Sequence, residues 1–188
     1  ILRPDLHPLH ASRMTFLAGL VLAQTLQADF ALPAKVKWPN DLLIDNLKVA
    51  GMLSQMEAEG DSLAFVNIGI GLNVNNDPSG AAPAATSLAR QLGAPLSRKA
   101  VLGAFLKRLE ARLSEPIDDS IITDWKAHTI TIGCRVKIVT TRDTLMGVAE
   151  DVDAMGGLKL RLPDGTTTTV VHGDCFHGGA DRQIPTSD

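Results

Sequence analysis

Four short strand-like runs, joined by turns of only a few residues, occupy positions 36–74 and constrain the fold more than any other feature. The runs cover 36–38, 42–44, 49–58 and 63–74, and Asp45-Asn46 marks the turn between the second and the third. Parallel strands need crossover connections of a dozen or more residues, which these turns cannot supply. The region therefore predicts an antiparallel, meander-like sheet.

Helical patterns lie on both sides of these runs. Residues 12–28 carry apolar side chains at helical spacing, with Ser12 as the N-cap, and predict a largely buried helix. A short helix is expected from Thr86-Ser87 to Gly93, Ser97 caps a longer helix over 98–113, and a last helix contains Ile121, Ile122 and Trp125. Helices segregated from an antiparallel sheet are typical of the α+β class.

The pattern changes after Ile132, where four short strands alternate with turn sequences. The predicted strands cover 135–140, 144–152, 157–163 and 166–173. The sequence Pro163-Asp164-Gly165 between the last two is a strong hairpin signal. This spacing predicts a small β-barrel at the C-terminal end of the chain.

Composition narrows the function classes. The 188 residues are 45% hydrophobic, which is enough for a buried core. A net charge of −3 and a pI near 5.9 argue against nucleic-acid or membrane-surface binding. Two cysteines and the lack of an apolar leader or membrane-length span predict a cytoplasmic protein. Because the chain begins at Ile1, in a strand-like pattern without methionine, we expect that further residues precede it.

Lys48 and the turn after Trp38-Pro39 are the first candidates for chemistry. A lysine at a strand start is usually an ordinary solvent-facing side chain, and Asn40 and Asp41 commonly cap turns. On the functional interpretation, Lys48 projects towards the turn and meets an anionic ligand there, while Asp41 helps to hold Mg²⁺ beside a phosphate. The residues alone leave both interpretations open.

Residues 69–73 end a predicted buried strand with two glycines and an amide. The glycines either relieve crowding or let a flat ligand lie against the backbone, with Asn73 bonding it. The GxG pattern lacks the third glycine and the following helix of a dinucleotide site. His172, Cys175 and His177 raise a weak zinc hypothesis, and ordinary barrel residues are the favoured interpretation.

Three segments resemble biotin protein ligases in order and spacing: KWPND at 37–41, KVAG at 48–51 and GIGLNV at 69–74. The similarity continues through 86–88, Trp125 and 133–136, so it covers nearly the whole chain. It implies an α+β catalytic domain related to class II aminoacyl-tRNA synthetases, incomplete here and spanning residues 1–130. A small SH3-like barrel would follow over residues 131–182.

The resemblance also implies a two-step reaction. The carboxylate of biotin attacks the α-phosphate of ATP to give biotinyl-AMP and pyrophosphate. The ε-amine of a lysine on a biotin carboxyl carrier protein domain then attacks the mixed anhydride to give an amide. The expected ligands are ATP, Mg²⁺ and biotin, nucleic acid and membranes are not expected partners, and homodimer formation is left open.

Site roles follow from the resemblance residue by residue. Lys48 would hold the biotin carboxylate and then the adenylate phosphate, because a fixed cation offsets the repulsion between two anions. As a hypothesis beyond the resemblance, Asp41 would also steer or deprotonate the incoming lysine amine. Residues around the nucleotide would be Asn40, Asp41 and Asn73, with Asp41 and Asn73 as Mg²⁺ ligands. The wall around the biotin rings would be Gly51, Met52 and Gly69, where bulky side chains cannot be tolerated.

One departure affects the expected activity. The family's glycine- and arginine-rich loop, with the threonine and glutamine contacts to biotin, would precede Ile1. We therefore expect little or no ligase activity from the 188 residues alone. The alternatives are a lipoate or octanoyl attachment enzyme of the same fold and a non-catalytic remnant that binds the carrier.

Overall fold

Two antiparallel sheets and four α-helices make up the part of the chain that this computed structural model describes, residues 1–80 and 84–178. The helices are α1 (Ser12–Phe30), α2 (Leu88–Leu92), α3 (Arg98–Leu113) and α4 (Ser120–His128), and a 3₁₀ turn covers Pro8–His10. The first sheet contains β1 (Lys35–Lys37), β2 (Asp41–Ile44), β3 (Leu47–Glu59) and β4 (Ser62–Leu72). The second contains β5 (Arg135–Val139), β6 (Thr144–Val152), β7 (Leu158–Arg161), β8 (Thr167–Val170) and β9 (Asp174–His177).

The first sheet is the predicted meander, with its strands in the order β1-β2-β3-β4 and every pair antiparallel. Asp45 and Asn46 form the turn between β2 and β3 with φ values of 50° and 63°. Asparagine and aspartate tolerate this left-handed conformation better than other side chains do, which explains their place in a two-residue hairpin. The β3–β4 pair is the longest, from Ala50 opposite Leu72 to Glu59 opposite Ser62.

Helix α1 covers one face of the first sheet and is buried along most of its length. Its partners among the helices are α3 and α4, and the ring of Phe16 packs edge-on against Trp125 of α4, with centroids 4.8 Å apart. The predicted N-cap role of Ser12 is wrong, because the helix has no side-chain cap bond and the Ser12 hydroxyl donates instead to the Met155 carbonyl, 2.7 Å away. The Ser97 cap of α3 is confirmed by its bond from the Ala100 amide.

The second sheet has five strands in the order β8-β7-β6-β5-β9, one more than the sequence predicted. The predicted last strand over 166–173 ends at Val170, and the chain then reverses at Gly173, whose φ is 137°. A side chain at Gly173 would lie 2.8 Å from the Val139 carbonyl oxygen, so this tight reversal suits glycine. The reversal lets β9 pair with β5; within the described residues β8 and β9 are not paired, and the SH3-like barrel stays a prediction.

The two sheets share one continuous hydrophobic core. The junction runs alongside β1, where the Ile130 amide donates to the Val36 carbonyl and the Trp38 amide donates to the Thr131 hydroxyl. The division at residues 130 and 131 stays a prediction, and positions 179–182 of the predicted second domain lie outside the described residues. In the described ranges no helix combines the length and apolar character that crossing a bilayer requires.

Candidate functional site

A cavity of about 860 Å³ opens on the face of the first sheet that α1 does not cover. Its lining comes from the β1–β2 turn, the start of β3, the end of β4, the segment at 84–85, and β9 of the second sheet. The lining includes Asn40, Asp41, Lys48, Gly51, Leu53, Gly69, Gly71, Asp174 and Phe176. Most of the residues singled out from the sequence therefore meet at one concave surface.

A β-bulge aims Lys48 at this cavity. Leu42 pairs with Ala50, but the next residue, Leu43, pairs with Lys48, so Val49 has no partner on β2. Strand alternation alone would have placed Lys48 on the core face with Ala50, two residues away. The extra residue reverses that alternation, because Val49 and Ala50 are both buried and Lys48 emerges on the open face with Gly51.

Lys48 and Asp41 form an ion pair at the cavity wall, with 2.6 Å between the Lys48 Nζ and the Asp41 Oδ1. The Lys48 side chain is 50% exposed and that of Asp41 is 19% exposed. A lysine ammonium group has three donors, so the bond to Asp41 leaves capacity for an anionic ligand on the cavity side. Asp41 thus holds the amine in place without covering it.

Gly51 provides the space for this ion pair. Gly51 lies directly opposite Asp41 in the sheet. A side chain at Gly51 would lie 3.2 Å from both the Cε and the Nζ of Lys48 and 3.3 Å from the Asp41 Oδ1. The amine and the carboxylate can therefore lie over the backbone of β3 because residue 51 has no side chain.

Gly69 and Gly71 extend this flat floor across to β4. Gly71 pairs with Gly51, and Gly69 pairs with Leu53. A Cβ added at Gly69 would lie 3.8 Å from the Leu53 carbonyl oxygen, and one at Gly71 would lie 3.9 Å from the Gly51 carbonyl oxygen. Both positions therefore face open space. Gly71 is not among the predicted site residues, although its spacing of two from Gly69 was the signal that both face the same side.

Asn40 joins the β1–β2 turn to β3. Its side-chain amide donates to the Met52 carbonyl, and the Met52 amide donates to the Asn40 carbonyl over 2.9 Å. The preceding Trp38 is 1% exposed, as expected for a core anchor. The main contacts of Asn40 are thus structural: they hold the turn that carries Asp41 against the strand that carries Lys48.

Met52 is part of the cavity lining although its side chain faces the core, and its role in a wall around the biotin rings stays a prediction. The side chain is 2% exposed and points into the core, where its Cε lies 3.1 Å from the position that a Cβ on Gly19 of α1 would occupy. Strand alternation explains this, because Met52 follows Gly51 and faces the opposite side of β3. Only the backbone of Met52 can face a ligand.

Asn73 is also engaged elsewhere. Its amide nitrogen donates to the Thr86 carbonyl at 3.1 Å, its amide oxygen accepts from Asn76 at 3.0 Å, and it is not part of the cavity lining. Asp41, the other predicted Mg²⁺ ligand, is paired with Lys48. The two residues therefore do not fit a shared Mg²⁺ site in this arrangement.

The second sheet brings residues to the cavity that were not predicted to belong to this site. Asp174, Cys175 and Phe176 of β9 all line it. They were missed because β9 has only four residues, too few for a periodic signal. Across residues 1–80 and 84–178, no three histidine, cysteine, aspartate or glutamate side chains gather as a metal cluster, so the zinc hypothesis for His172, Cys175 and His177 gains no support.

Two protein-family models match the chain. The model described as the Biotin/lipoate A/B protein ligase family matches residues 3–73, which contain the whole first sheet. The model described as the Biotin protein ligase C terminal domain matches residues 131–178, which contain the second sheet. The first match contains the Lys48–Asp41 ion pair and the glycine floor, and the second contains β9, which lines the cavity.

Curated relatives give the same result. The bifunctional ligase/repressor BirA of Bacillus spizizenii is 33% identical over 172 residues, which cover 88% of this chain and 53% of that protein. The biotin--[acetyl-CoA-carboxylase] ligase of Paracoccus denitrificans is 30% identical over 189 aligned positions, covering 95% of this chain and 78% of that protein. The chain thus spans about half the length of the first of these relatives.

A solved structure supports the fold. The biotin protein ligase from Aquifex aeolicus, in complex with biotin and ATP, matches with a TM-score of 0.71 and 24% identity, covering 88% of this chain and 71% of that one. At this identity the likeness concerns architecture, and it confirms the predicted α+β class. With both sheets matched by family models and 78% of the 30% identical Paracoccus ligase covered, the chain belongs to the biotin protein ligase family.

Proposed function

We propose that this chain carries the acyl-adenylate site of an ATP-dependent ligase that attaches biotin to a lysine of a carrier protein. The observation that carries the proposal is the Lys48 ammonium group, held by Asp41 above a floor of three glycines in a cavity of about 860 Å³. Biotinyl-AMP carries a phosphate between its acyl and adenosine parts, and this surface offers an open glycine floor next to a fixed cation.

The proposed role of Lys48 follows from electrostatics. In the first step a biotin carboxylate oxygen attacks the α-phosphorus of ATP, and the bond from that phosphorus to the pyrophosphate oxygen breaks. Both reactants are anions, so a cation already in position lowers the barrier without reorganising during the reaction. Lys48 is in position because Asp41 and the bulge fix its direction.

Asp41 is proposed to act in the second step. The amine of the carrier lysine attacks the acyl carbon, AMP leaves with its phosphate, and the amine loses a proton. A carboxylate beside the reacting carbon can orient the amine and accept that proton. If Asp41 does so, then in a longer ligase chain that includes the expected glycine- and arginine-rich loop, Asp41→Asn slows transfer from preformed biotinyl-AMP by roughly 100-fold and slows adenylation less. Equal slowing of both half-reactions contradicts this role.

The relatives support biotin and ATP as the ligands. The Aquifex aeolicus structure contains both molecules, and the Paracoccus denitrificans relative is named for the acetyl-CoA carboxylase that it modifies. We extend these ligands to this chain and propose a carboxylase carrier domain as its protein partner. Mg²⁺ stays a prediction from the resemblance.

Lipoate is the second candidate acyl group, because the family model over residues 3–73 covers both biotin and lipoate ligases. The model over residues 131–178 is specific to biotin protein ligases and favours biotin. The test is competition against a non-hydrolysable biotinyl-AMP analogue bound to this chain. We expect biotin, with ATP present, to displace the analogue and lipoate to leave it bound; displacement by lipoate alone would reverse the assignment.

A further inference from the structure

The turn between β6 and β7 of the second sheet touches the segment that begins the site. This turn covers residues 153–157, and the carbonyl of Gly156 accepts a 2.9 Å hydrogen bond from the indole Nε1 of Trp38. Trp38 is fully buried and stands three residues before Asp41 in the chain. A single buried hydrogen bond therefore links the second sheet to the segment that carries the carboxylate of the site.

The turn is rigid because Asp153 bonds across it. The Asp153 carboxylate accepts hydrogen bonds from the amides of Met155 and Gly157, both at 2.9 Å. The Asp153 amide also donates to the Gly157 carbonyl, and the Gly156 amide donates to the Asp153 carbonyl. These bonds fix the direction of the Gly156 carbonyl before Trp38 reaches it.

Gly156 is also packed against the start of α1. A side chain there would lie 2.7 Å from the Cε2 of Phe16 and 3.3 Å from the Ser12 hydroxyl, and φ at Gly156 is +84°. Phe16 cannot move away easily because it is buried against Trp125. The Ser12 hydroxyl bonds the Met155 carbonyl, so the turn is held from the α1 side as well.

A series of separate contacts leads from Trp38 to the cavity. The Trp38 amide donates to the Thr131 hydroxyl, which fixes the backbone of Trp38 as well as its indole ring. Two residues later Asn40 bonds Met52 in both directions, and Asp41 follows, paired with Lys48. The position of Asp41 therefore depends on where Trp38 is held.

We propose that the 153–157 turn is a positioning element for the site, with Gly156 acting through Trp38 to place Asp41 against Lys48. Gly156 and Trp38 are positioning residues; Trp38 belongs to the cavity lining, whereas Gly156 does not. The consequence for ligand binding rests on the proposed function, whereas the positioning itself is measurable without any ligand.

The test compares Gly156→Ala with Gly165→Ala. Gly165 has φ +86°, nearly the same as Gly156, and lies in the hairpin turn between β7 and β8, with open space around it. Both substitutions carry the same backbone penalty, so their difference isolates the contact of Gly156 with Phe16 and Trp38.

The readout is amide hydrogen exchange at Met52, whose amide donates to Asn40, relative to Asn73, whose amide donates to Val49 in the same sheet. Global destabilisation changes both rates together, whereas displacement of the turn changes their ratio. We expect Gly156→Ala to raise the ratio of the Met52 exchange rate to the Asn73 exchange rate about tenfold, and Gly165→Ala to leave this ratio unchanged. Equal ratios in the two variants would overturn the proposal.

Trp38→Phe covers the case in which Gly156→Ala does not fold. It removes the indole donor and keeps an aromatic ring in the core, and it too should raise the ratio; an unchanged ratio counts against positioning. Affinity for the biotinyl-AMP analogue, measured on the same proteins, should fall in both variants and not in Gly165→Ala. If the unaltered chain does not bind the analogue, the proposed function fails, and the exchange ratio still decides the positioning role.

Discussion

The two faces of the first sheet are built from the same strands and meet opposite requirements. The covered face packs closely beneath α1, and its buried residues include Val36, Leu42, Ala50 and Met52. The open face carries glycines at the start of β3 and the end of β4, together with the Lys48–Asp41 pair. One face contributes stability through filled volume, and the other contributes a site through space left empty.

The bulge at Val49 is what connects the two faces. It turns Lys48 from the covered side to the open side within a single residue, while its neighbours Val49 and Ala50 both stay buried. A lysine on the covered face would be an unpaired charge in the core, which is costly. The comparison therefore predicts that substitutions on the covered face affect folding, whereas those on the open face affect binding.

The largest expected effect is on the covered face. Met52→Ala removes a buried side chain that is packed against Gly19 of α1 and should lower the free energy of unfolding by about 2–5 kcal/mol. Its neighbour Leu53 is 77% exposed, so Leu53→Ala should change stability by about 0.5 kcal/mol or less. Urea denaturation of the two variants measures both values, and equal losses would remove the distinction between the faces.

The next effect is on binding. Gly51→Ala puts a methyl group 3.2 Å from the Lys48 amine and should displace the ion pair. Because the displaced atoms belong to a flexible side chain, folding should persist while affinity for the biotinyl-AMP analogue falls about tenfold. Gly103→Ala on α3 is the matched control, since nothing lies within 4 Å of that position. Calorimetric titration that found the same affinity for both variants would argue against the role given to Gly51.

The smallest effect comes from a pair that lies on neither face. Lys126 of α4 bonds Asp151 of β6 at 2.6 Å, across the junction of the two sheets. Partial burial raises the pKa of Asp151, but the bonds from Lys126 and the Val152 amide and the charges of Lys126 and Lys159 outweigh it and leave the pKa below its ordinary 3.8. A carboxyl group whose pKa is lower in the folded state stabilises the fold at pH values above its unfolded-state pKa. That contribution is lost as the pH falls through the folded-state pKa.

Asp151→Asn should therefore lower stability by about 0.2–1 kcal/mol at neutral pH, as is typical of exposed pairs. The difference from the unaltered protein should shrink towards zero in acid below the folded pKa of Asp151. Urea denaturation across that range checks the sign, and a difference that grows on acidification would contradict it. Affinity for the analogue should not change at neutral pH, because neither residue of the pair lines the cavity.

Elements set by local periodicity were predictable from the sequence, and features set by pairing between strands were not. Helices α1 and α3 and the four-stranded meander follow from apolar spacing and turn residues. The bulge at Val49 depends on how β3 registers against β2, and a one-residue shift leaves no mark on the sequence of either strand. Strand β9 required the reversal at Gly173, and its contribution to the cavity required the relative placement of two sheets.

The site was predicted in part for the same reason. The proximity of Lys48 to Asp41 was expected from the sequence, and the structure places their charged atoms 2.6 Å apart. The sequence did not indicate that strand alternation faces the Met52 side chain away from Gly51, or that Asn73 bonds Thr86 and Asn76. The ligand roles of both residues stay predictions. The segments that resemble the family indicated which residues belong near the site. Strand geometry determined which of their side chains reach the cavity.

The central claim is that the Lys48 amine binds the anionic part of an acyl-adenylate on the open face of the sheet. Isothermal titration of a non-hydrolysable biotinyl-AMP analogue tests it most directly, in the unaltered chain, in Lys48→Met and in Lys107→Met as an exposed lysine control on α3. We predict that Lys48→Met weakens binding about 10- to 100-fold and that Lys107→Met leaves it unchanged. Equal affinity in all three proteins, or no binding by the unaltered chain, would contradict the claim.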